Sequence, residues 1–300
     1  MRMFMTGASG FIGSAVVAEL IGAGHQVVGL ARSQESADRL TALGAGVCRA
    51  SLDDLGSLRA AASAADGAIH LAYRHGAPGE DAADTDRRAI ETIGGALAGS
   101  GRPFVLTSGT LVLPPGRVVT EADPPDPAAP AAARIASEQA GLAFAGRGVR
   151  VSVVRLAPSV HERVRRGFVG TLVGIAEESG ISGYVGDGSQ RWPAVHRQDA
   201  ARLYRLAAEK APAGSVLHGV GEEGVQLRDI AEVIGARLGI PVRAVPGERA
   251  AAHFGWLAAI VSADAPASSA ATRRLLGWEP SRAGLLDDLS NGEFFEAVQR

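Results

Sequence analysis

Glycines recur every three residues directly after the first apolar segment of the chain, in MFMTGASGFIGS. A turn from a strand into a helix must be tight, must let the backbone approach a bound phosphate and must let the helix pack closely on the sheet, and glycine meets all three needs. Backbone N–H groups at the start of the helix would then face the negative charge. An ordinary glycine-rich turn is the alternative, but the strand before the motif and the helix and second strand after it favour a dinucleotide-binding turn. The residues predicted to bind the cofactor here are Gly7, Ser9, Gly10, Phe11, Ile12 and Gly13.

A basic residue ends the second predicted strand, QVVGLARS, where a dinucleotide-binding unit reads the adenosine ribose. An acidic side chain there would accept hydrogen bonds from a 2′-hydroxyl, whereas the guanidinium of Arg32, followed by Ser33, can pair with a 2′-phosphate. NADP(H) is therefore favoured over NAD(H), with a solvated surface arginine as the alternative. The residues after the next two strands are also expected to border the cofactor: Leu52, Asp53, Leu71 and Ala72.

Short apolar segments alternate with helix-length segments through the first half of the chain. Near-continuous apolar strands separated by helices predict a parallel sheet covered on both faces, a doubly wound α/β Rossmann fold. The proline-rich segment 111–130 breaks this rhythm and is predicted to be a long surface loop beside the cleft. We predict a dinucleotide-binding domain over 1–160 and a smaller α/β substrate lobe over 161–300, with about 194–220 returning to the first domain.

Composition narrows the classes of partner. The net charge of -2 provides no basic field for a nucleic acid, and no apolar run approaches the roughly 18 residues that span a bilayer. The single cysteine, Cys48, forms no internal disulfide, and the N-terminus lacks the features of a signal peptide, so the cytoplasm is expected. Seven scattered histidines show no zinc-ligand spacing, so no metal site is expected.

The segments TGASGFIG, ARS, HLAY, VLTSGT, VRLAP, AVHRQDAARL and TRRLLGWEP together resemble the extended short-chain dehydrogenase/reductase family, the NAD-dependent epimerase/dehydratase group. The resemblance implies a seven-stranded Rossmann sheet, a nicotinamide cofactor and a C-terminal substrate lobe. It also places Pro158, in VRLAP, beside the nicotinamide.

The catalytic pair of that family is missing. The family uses a tyrosine and, four residues later, a lysine, and the resemblance puts Arg134 and Glu138 at these positions. The chain has three tyrosines, and its only lysine, Lys210, does not follow any of them at that spacing. Arg134 stays protonated, so it can stabilise an oxyanion but is a poor proton donor. The alternative is an ion pair between Arg134 and Glu138 on the helix surface.

Other polar residues are candidates to replace the pair. Ser108 and Thr110 end the fifth strand, where open α/β sheets place ligands, and Ser108 is preferred. Tyr73 follows the fourth strand and is a candidate acid, with packing as its alternative role. The predicted catalytic set is Ser108, Tyr73 and Arg134.

Several further residues have less distinct expected roles. His161 could titrate near neutrality or lie exposed in a loop, and His196 and Asp199 are assigned to structure. Three further residues are expected to line the substrate pocket: Tyr184, Arg191 and Trp192. For Trp192, packing in the core is the alternative.

These observations favour an NADP(H)-dependent oxidoreductase acting on a small carbonyl or alcohol substrate. The alternatives are a dinucleotide-binding sensor without catalysis, which the missing pair supports, and a sugar-nucleotide epimerase or dehydratase. Neither nucleic acid nor a membrane is an expected partner. A homodimer is possible through the helices near 82–99 and 131–146.

Overall fold

The computed structural model describes residues 1–74 and 82–295. Its first half is built on strands whose side chains are buried on both faces. Met3 and Met5 point into one apolar core and Phe4 points into another, because successive side chains of a strand alternate between faces. Such strands are apolar along their whole length, which is the pattern that the sequence shows.

Seven of these strands form one parallel sheet in the order β10-β6-β5-β4-β1-β2-β3. The strands of the described residues are β1 Arg2–Thr6, β2 Gln26–Ala31, β3 Gly46–Arg49, β4 Gly67–His70, β5 Pro103–Gly109, β6 Arg150–Leu156, β7 Ser159–His161, β8 Ser182–Val185, β9 Arg191–His196, β10 Ser215–Gly219, β11 Glu222–Gln226 and β12 Val242–Val245. The predicted doubly wound α/β fold is confirmed.

Helices cover both faces of the large sheet. The helices of the described residues are α1 Phe11–Gly22, α2 Gln34–Ala42, α3 Leu55–Ser63, α4 Ala82–Leu97, α5 Ile135–Leu142, α6 Gly167–Ser179, α7 Arg197–Lys210, α8 Leu227–Leu238, α9 Ala250–Phe254, α10 Ala258–Val261, α11 Ala270–Leu276 and α12 Leu285–Asn291. Apolar residues of α1, α2 and α7 share one core with the sheet, and those of α3 and α4 share the other. None of the helices in the described residues has the length and hydropathy needed to cross a membrane.

A third apolar core lies in the C-terminal lobe, which we define as the sheets β11-β9-β7 and β12-β8 with α6, α8, α9, α10 and α12. The apolar segment FGWLAAIV is divided between α9, a 3-10 turn and α10, because Gly255 adopts a φ of +55°. The assignment of this lobe to substrate binding stays a prediction.

Sheet order determines where a ligand can bind. The chain leaves β1 for β2 on one side, whereas β4 lies on the other side of β1, so the connections after β1 and β4 diverge. Open α/β sheets bind ligands at the carboxyl ends of the strands beside such a switch point. The turn after β1 and the segments after β4 and β5 therefore border the candidate site.

Candidate active site

The turn after β1 depends on glycine for steric reasons. Gly7 has a φ of +68°, and a Cβ there would lie 2.6 Å from the amide nitrogen of Ala72. A Cβ on Gly13 would lie 2.0 Å from the Gly7 carbonyl oxygen, so α1 could not pack this closely with any larger residue. Gly10 is different, because the nearest atom to a Cβ there is the Gly7 oxygen at 3.2 Å. It precedes α1 without a side-chain cap, which leaves helix N–H groups for an anion.

A cleft of about 770 Å³ opens beside this turn, at the carboxyl ends of the strands. It brings together eight of the residues predicted from the sequence: Gly7, Ser9, Gly10, Arg32, Leu52, Leu71, Ala72 and Tyr73. Its lining also contains residues that sequence reasoning did not assign to it: Leu30, Ser36, Ala50, Ser51 and Arg74. Three of these, Ala50, Ser51 and Arg74, follow strands β3 and β4, so the strand-end rule applied to every strand would have found them.

The remaining predicted cofactor residues do not line this cleft. Ile12 and Gly13 lie within α1, Phe11 lies beneath the guanidinium of Arg197, and Pro158 lies between β6 and β7. Asp53 is paired with Arg74 through an Nη2–Oδ2 distance of 2.5 Å.

The outer end of the cleft is basic. Arg32 is exposed and makes no hydrogen bond or ion pair with other described residues. Ser33 caps α2 by accepting a hydrogen bond from the Ser36 amide at 3.2 Å. A second guanidinium, that of Arg49 at the end of β3, donates to the Ser33 carbonyl at 2.5 Å. Sequence reasoning missed Arg49, although its place at a strand end was a usable signal.

Tyr73 lines the cleft, and Arg134 contacts it. The Arg134 guanidinium lies 4.1 Å from the centre of the Tyr73 ring, a cation–π distance. Its Nη2 donates to the Thr107 carbonyl on β5 at 2.8 Å. The next residue, Ser108, is 5% exposed, and its Oγ has no hydrogen-bond partner among the described residues; the Thr110 hydroxyl is likewise buried and unpaired there. A guanidinium and an unpaired hydroxyl thus lie on neighbouring segments at one strand end.

Glu138 does not form the expected surface pair with Arg134. It is buried and accepts three hydrogen bonds from Arg155 of β6, the shortest being 2.6 Å from Nη2 to Oε1. The side chains separate because Glu138 faces β6 from the inner side of α5, whereas Arg134, at the start of α5, reaches the β5 carbonyl. The surface-pair alternative is therefore wrong, because the Glu138 carboxylate is bound by Arg155.

A buried polar chain supports the segment that carries Tyr73, and sequence reasoning missed it. The Ala72 amide donates to the Thr6 hydroxyl at 3.2 Å, Thr6 Oγ1 lies 2.8 Å from His70 Nδ1, and His70 Nε2 lies 3.0 Å from Asp86 Oδ1. Because the Asp86 carboxylate can only accept, Nε2 of His70 carries a proton and donates it to Asp86; in the neutral imidazole Nδ1 is then the acceptor, and the Thr6 hydroxyl donates to it. Burial raises the pKa of Asp86, but the bond with His70 and the nearby Arg134 charge outweigh burial and hold it below its usual value.

His161 is not an exposed loop residue. It belongs to β7, is 2% exposed, and its Nδ1 lies 2.8 Å from Asp288 Oδ2 of α12. Burial lowers the pKa of His161, while Asp288 opposes this effect in part. The structural assignment of His196 and Asp199 is confirmed, because His196 caps α7 and Asp199 accepts hydrogen bonds from the amides of residues 281 and 282.

The residues proposed for a substrate pocket in the C-terminal lobe are largely committed to protein contacts. Trp192 is fully buried and donates to the Ile260 carbonyl at 3.2 Å, so it belongs to the core. Arg191 binds both carboxylate oxygens of Asp264, at 2.9 and 2.8 Å. Tyr184 accepts a hydrogen bond from an arginine of α8 at 3.0 Å.

The chain is similar to known proteins both in sequence and in fold. The model of the NAD dependent epimerase/dehydratase family matches residues 3–218. An uncharacterised protein of Schizosaccharomyces pombe is 45% identical over 298 residues, 98% of this chain and 100% of that protein. A 4-hydroxy-2-methyl-3-oxo-4-farnesyl-3,4-dihydroquinoline-1-oxide ketoreductase of Stigmatella aurantiaca is 28% identical over 283 residues, 89% of this chain and 84% of the ketoreductase. The solved structure of MoeE5 in complex with UDP-glucose and NAD is similar with a TM-score of 0.76 at 24% identity, covering 98% of each chain.

The family match covers more than half of the chain. It includes the glycine turn, the strands of the parallel sheet and the residues that line the cleft. The predicted family is confirmed: the chain belongs to the NAD-dependent epimerase/dehydratase family and is an oxidoreductase of that short-chain type.

Proposed function

We propose that this protein is an NADP(H)-dependent oxidoreductase that acts on a small organic carbonyl or alcohol without the usual Tyr-Lys pair. The observation that carries the proposal is that Arg134 contacts both Tyr73, which lines the cleft, and the Thr107 carbonyl of β5, while Arg32 lines the same cleft. The distant relationship to a ketoreductase supports a carbonyl substrate.

The residues of the cleft fit a dinucleotide. A pyrophosphate would bind at the start of α1, where Gly10 leaves the backbone open and no acidic side chain lies in the first turn. Arg32, with Arg49 and the capped start of α2 near it, would receive the 2′-phosphate of NADP(H). Leu52 and Leu71 provide apolar lining.

The nicotinamide, when bound, supplies or accepts the hydride. The protein's task is then to manage charge and a proton on the substrate oxygen. Arg134 would stabilise the developing alkoxide, since a guanidinium remains charged at all working pH values. The Ser108 hydroxyl would donate a hydrogen bond to that oxygen, and the Tyr73 phenol would provide the proton. Thr6, His70 and Asp86 would hold the backbone next to Tyr73.

A dinucleotide sensor is the second candidate function. The position of the family's lysine is taken by Glu138, which Arg155 binds, so α5 provides neither a proton donor nor a lysine for the cofactor ribose. Such a protein would bind the cofactor without turnover. A sugar-nucleotide substrate, as MoeE5 binds in its complex, is less well supported: a diphosphate needs available cations, and the Arg191 guanidinium is engaged by Asp264.

The test is oxidation of NADPH with a panel of ketones and aldehydes, followed by single-turnover rates of Ser108→Ala, Tyr73→Phe and Arg134→Ala. We expect Ser108→Ala and Tyr73→Phe to slow hydride transfer by roughly 10²-fold, and Arg134→Ala to slow it less. Arg147→Ala is the matched control, because Arg147 makes a similar contact, at 4.5 Å, with the Phe144 ring. If Arg134→Ala is the most damaged variant, the oxygen is held from α5. Tight NADPH binding without turnover of any substrate would favour the sensor.

A further inference from the structure

Two parallel strands of the C-terminal lobe, β7 and β9, end side by side between α1 and α12. β7 pairs with β9 so that His161 is in register with His196. The residues that follow the two strands, Glu162 and Arg197, form an ion pair, and Arg197 also contacts α1. The two strand ends are therefore connected to α12 through the histidines and to α1 through Arg197.

Arg197 makes three contacts, one with Glu162 and two with residues of α1. Its Nη1 lies 2.5 Å from Glu162 Oε2, its Nη2 donates to the Ser14 hydroxyl at 2.5 Å, and its guanidinium carbon lies 4.8 Å from the centre of the Phe11 ring. Ser14 in turn donates to the Gly10 carbonyl at 2.9 Å. Arg197 is thus one side chain away from the backbone turn proposed to bind the pyrophosphate.

Toward α12, the histidines meet one carboxylate. His161 Nδ1 lies 2.8 Å from Asp288 Oδ2, and His196 Nε2 lies 3.6 Å from the same oxygen. Asp288 is 1% exposed, so this contact is shielded from water and fixes α12 against both strands. His196 and Arg197 are consecutive residues, so the contact of the histidines with Asp288 lies directly beside the contacts of Arg197.

We propose that Arg197 is a positioning residue that couples cofactor binding at the start of α1 to the order of α12 in the C-terminal lobe. The inference rests on the proposed dinucleotide site. A phosphate bound at Gly10 and Phe11 fixes the backbone that holds the Ser14 acceptor and the Phe11 ring. The fixed Ser14 and Phe11 side chains hold the guanidinium of Arg197. Arg197 in turn holds Glu162 at the end of β7, and this positions the histidines that bind Asp288. Ordering of one site therefore lowers the entropic cost of ordering the other.

The chain provides a matched control. Arg205, also on α7, binds Glu19 of α1 through an Nε–Oε1 distance of 2.7 Å. This pair joins the same two helices farther along α1, away from its phosphate-binding start. If a bridge between α7 and α1 were sufficient for coupling, loss of Arg205 would have the same effect as loss of Arg197.

The experiment is hydrogen exchange of the full chain, followed in the peptide 283–293, without and with NADP+ at a concentration that saturates each variant. In the wild type and in Arg205→Met, we expect the cofactor to slow exchange in this peptide. In Arg197→Met and Glu162→Gln, we expect that protection to be lost although the cofactor is bound. Ser14→Ala is a milder variant that removes the acceptor of Arg197 together with the hydrogen bond from Ser14 to the Gly10 carbonyl, and thermal unfolding verifies that each variant is folded.

Three results would overturn the inference. The first is cofactor binding to the wild type without protection of residues 283–293, and the second is full protection in Arg197→Met and Ser14→Ala. The third is equal loss of protection in Arg205→Met, which would assign the effect to general helix packing. If the wild type does not bind NADP+ or NADPH at all, the proposed function itself fails, and titration of the cofactor separates that outcome from the other three.

Discussion

Arg32 is the residue that we propose determines the cofactor preference. It is exposed at the rim of the cleft, and the described residues offer it no competing carboxylate. We expect Arg32→Asp to weaken NADPH binding by roughly 10- to 150-fold, since a charge-assisted hydrogen bond contributes about 1.5–3 kcal/mol. NADH binding should be unchanged or tighter. Calorimetric titration of both cofactors checks this, with Arg39→Asp on the exposed face of α2 as the control. Equal affinity of the wild type for NADPH and NADH would contradict the preference.

Two glycines of one turn should fail in different ways. We expect Gly10→Val to fold but to lose cofactor affinity, because its Cβ meets only the Gly7 oxygen at 3.2 Å and the branched side chain extends toward the phosphate site. Gly13→Val should instead lower the free energy of unfolding, because its Cβ would lie 2.0 Å from that oxygen. Thermal unfolding and cofactor titration of both variants distinguish the two effects. Undiminished affinity in Gly10→Val would mean that the phosphates bind elsewhere.

For individual residues, the sequence predicts those positions that depend on neighbours along the chain. The glycine turn and Arg32 could be placed because a strand, a turn and a helix follow each other within the first 33 residues. The partner of Glu138 could not be predicted, because Arg155 lies 17 residues away and reaches it only through the pairing of α5 with β6. The contact of Arg134 with Tyr73 has no local signal either, because it depends on two segments 61 residues apart.

The helix α5 carries one partner of a buried ion pair on its inward face. Its inward face holds Glu138, and both that side chain and Arg155 are almost fully buried. A buried ion pair adds little stability over an apolar pair, but removal of one partner leaves an uncompensated charge. The pair therefore fixes α5 on β6, and through α5 it fixes the point from which Arg134 reaches the site.

Removal of that carboxylate should be costly. We expect Glu138→Ala to lower the free energy of unfolding by about 3–5 kcal/mol, the usual loss when a buried pair is broken. The double variant Glu138→Met with Arg155→Met should recover most of it. Chemical denaturation of the three proteins provides the measurement. The exposed pair of Arg87 and Glu91 is the control, since Glu91→Ala should change stability by less than about 1 kcal/mol. A Glu138→Ala protein as stable as the wild type would show that water reaches this pair.

For the whole molecule, the sequence predicts the layered part of the fold better than the connection between its parts. The alternation of apolar strands with helices predicts the parallel sheet. Each strand is buried on both faces, and the local sequence shows this as a continuous apolar run. The contact between His161 and Asp288 spans 127 residues and has no local signal, so His161 was open to interpretation as a loop residue. This contact holds β7 against α12 within the C-terminal lobe, and buried polar contacts of this kind also make the stability of the molecule depend on pH.

Two buried histidines should make the protein less stable in mild acid. Burial lowers the pKa of His161 and of His218 from the usual value of 6.5, so both are neutral in the folded state. Below about pH 6.5 the unfolded chain takes up protons that the folded chain does not, so the free energy of unfolding falls as pH decreases. Each histidine contributes a loss of up to about 1.4 kcal/mol per pH unit in that range.

The measurement is chemical denaturation between pH 7.5 and 5.5, a range that lies above the titration of ordinary carboxyl groups. The wild type should lose stability steadily toward the acid end, whereas His161→Asn with His218→Asn should show a distinctly smaller slope, whatever its stability at pH 7.5. Asn is chosen because its side-chain amide can replace the Nδ1–H that His218 directs to the Ser268 carbonyl at 2.8 Å. The same slope in the double variant and the wild type would mean that these histidines remain accessible to protons in the folded state, in conflict with their burial.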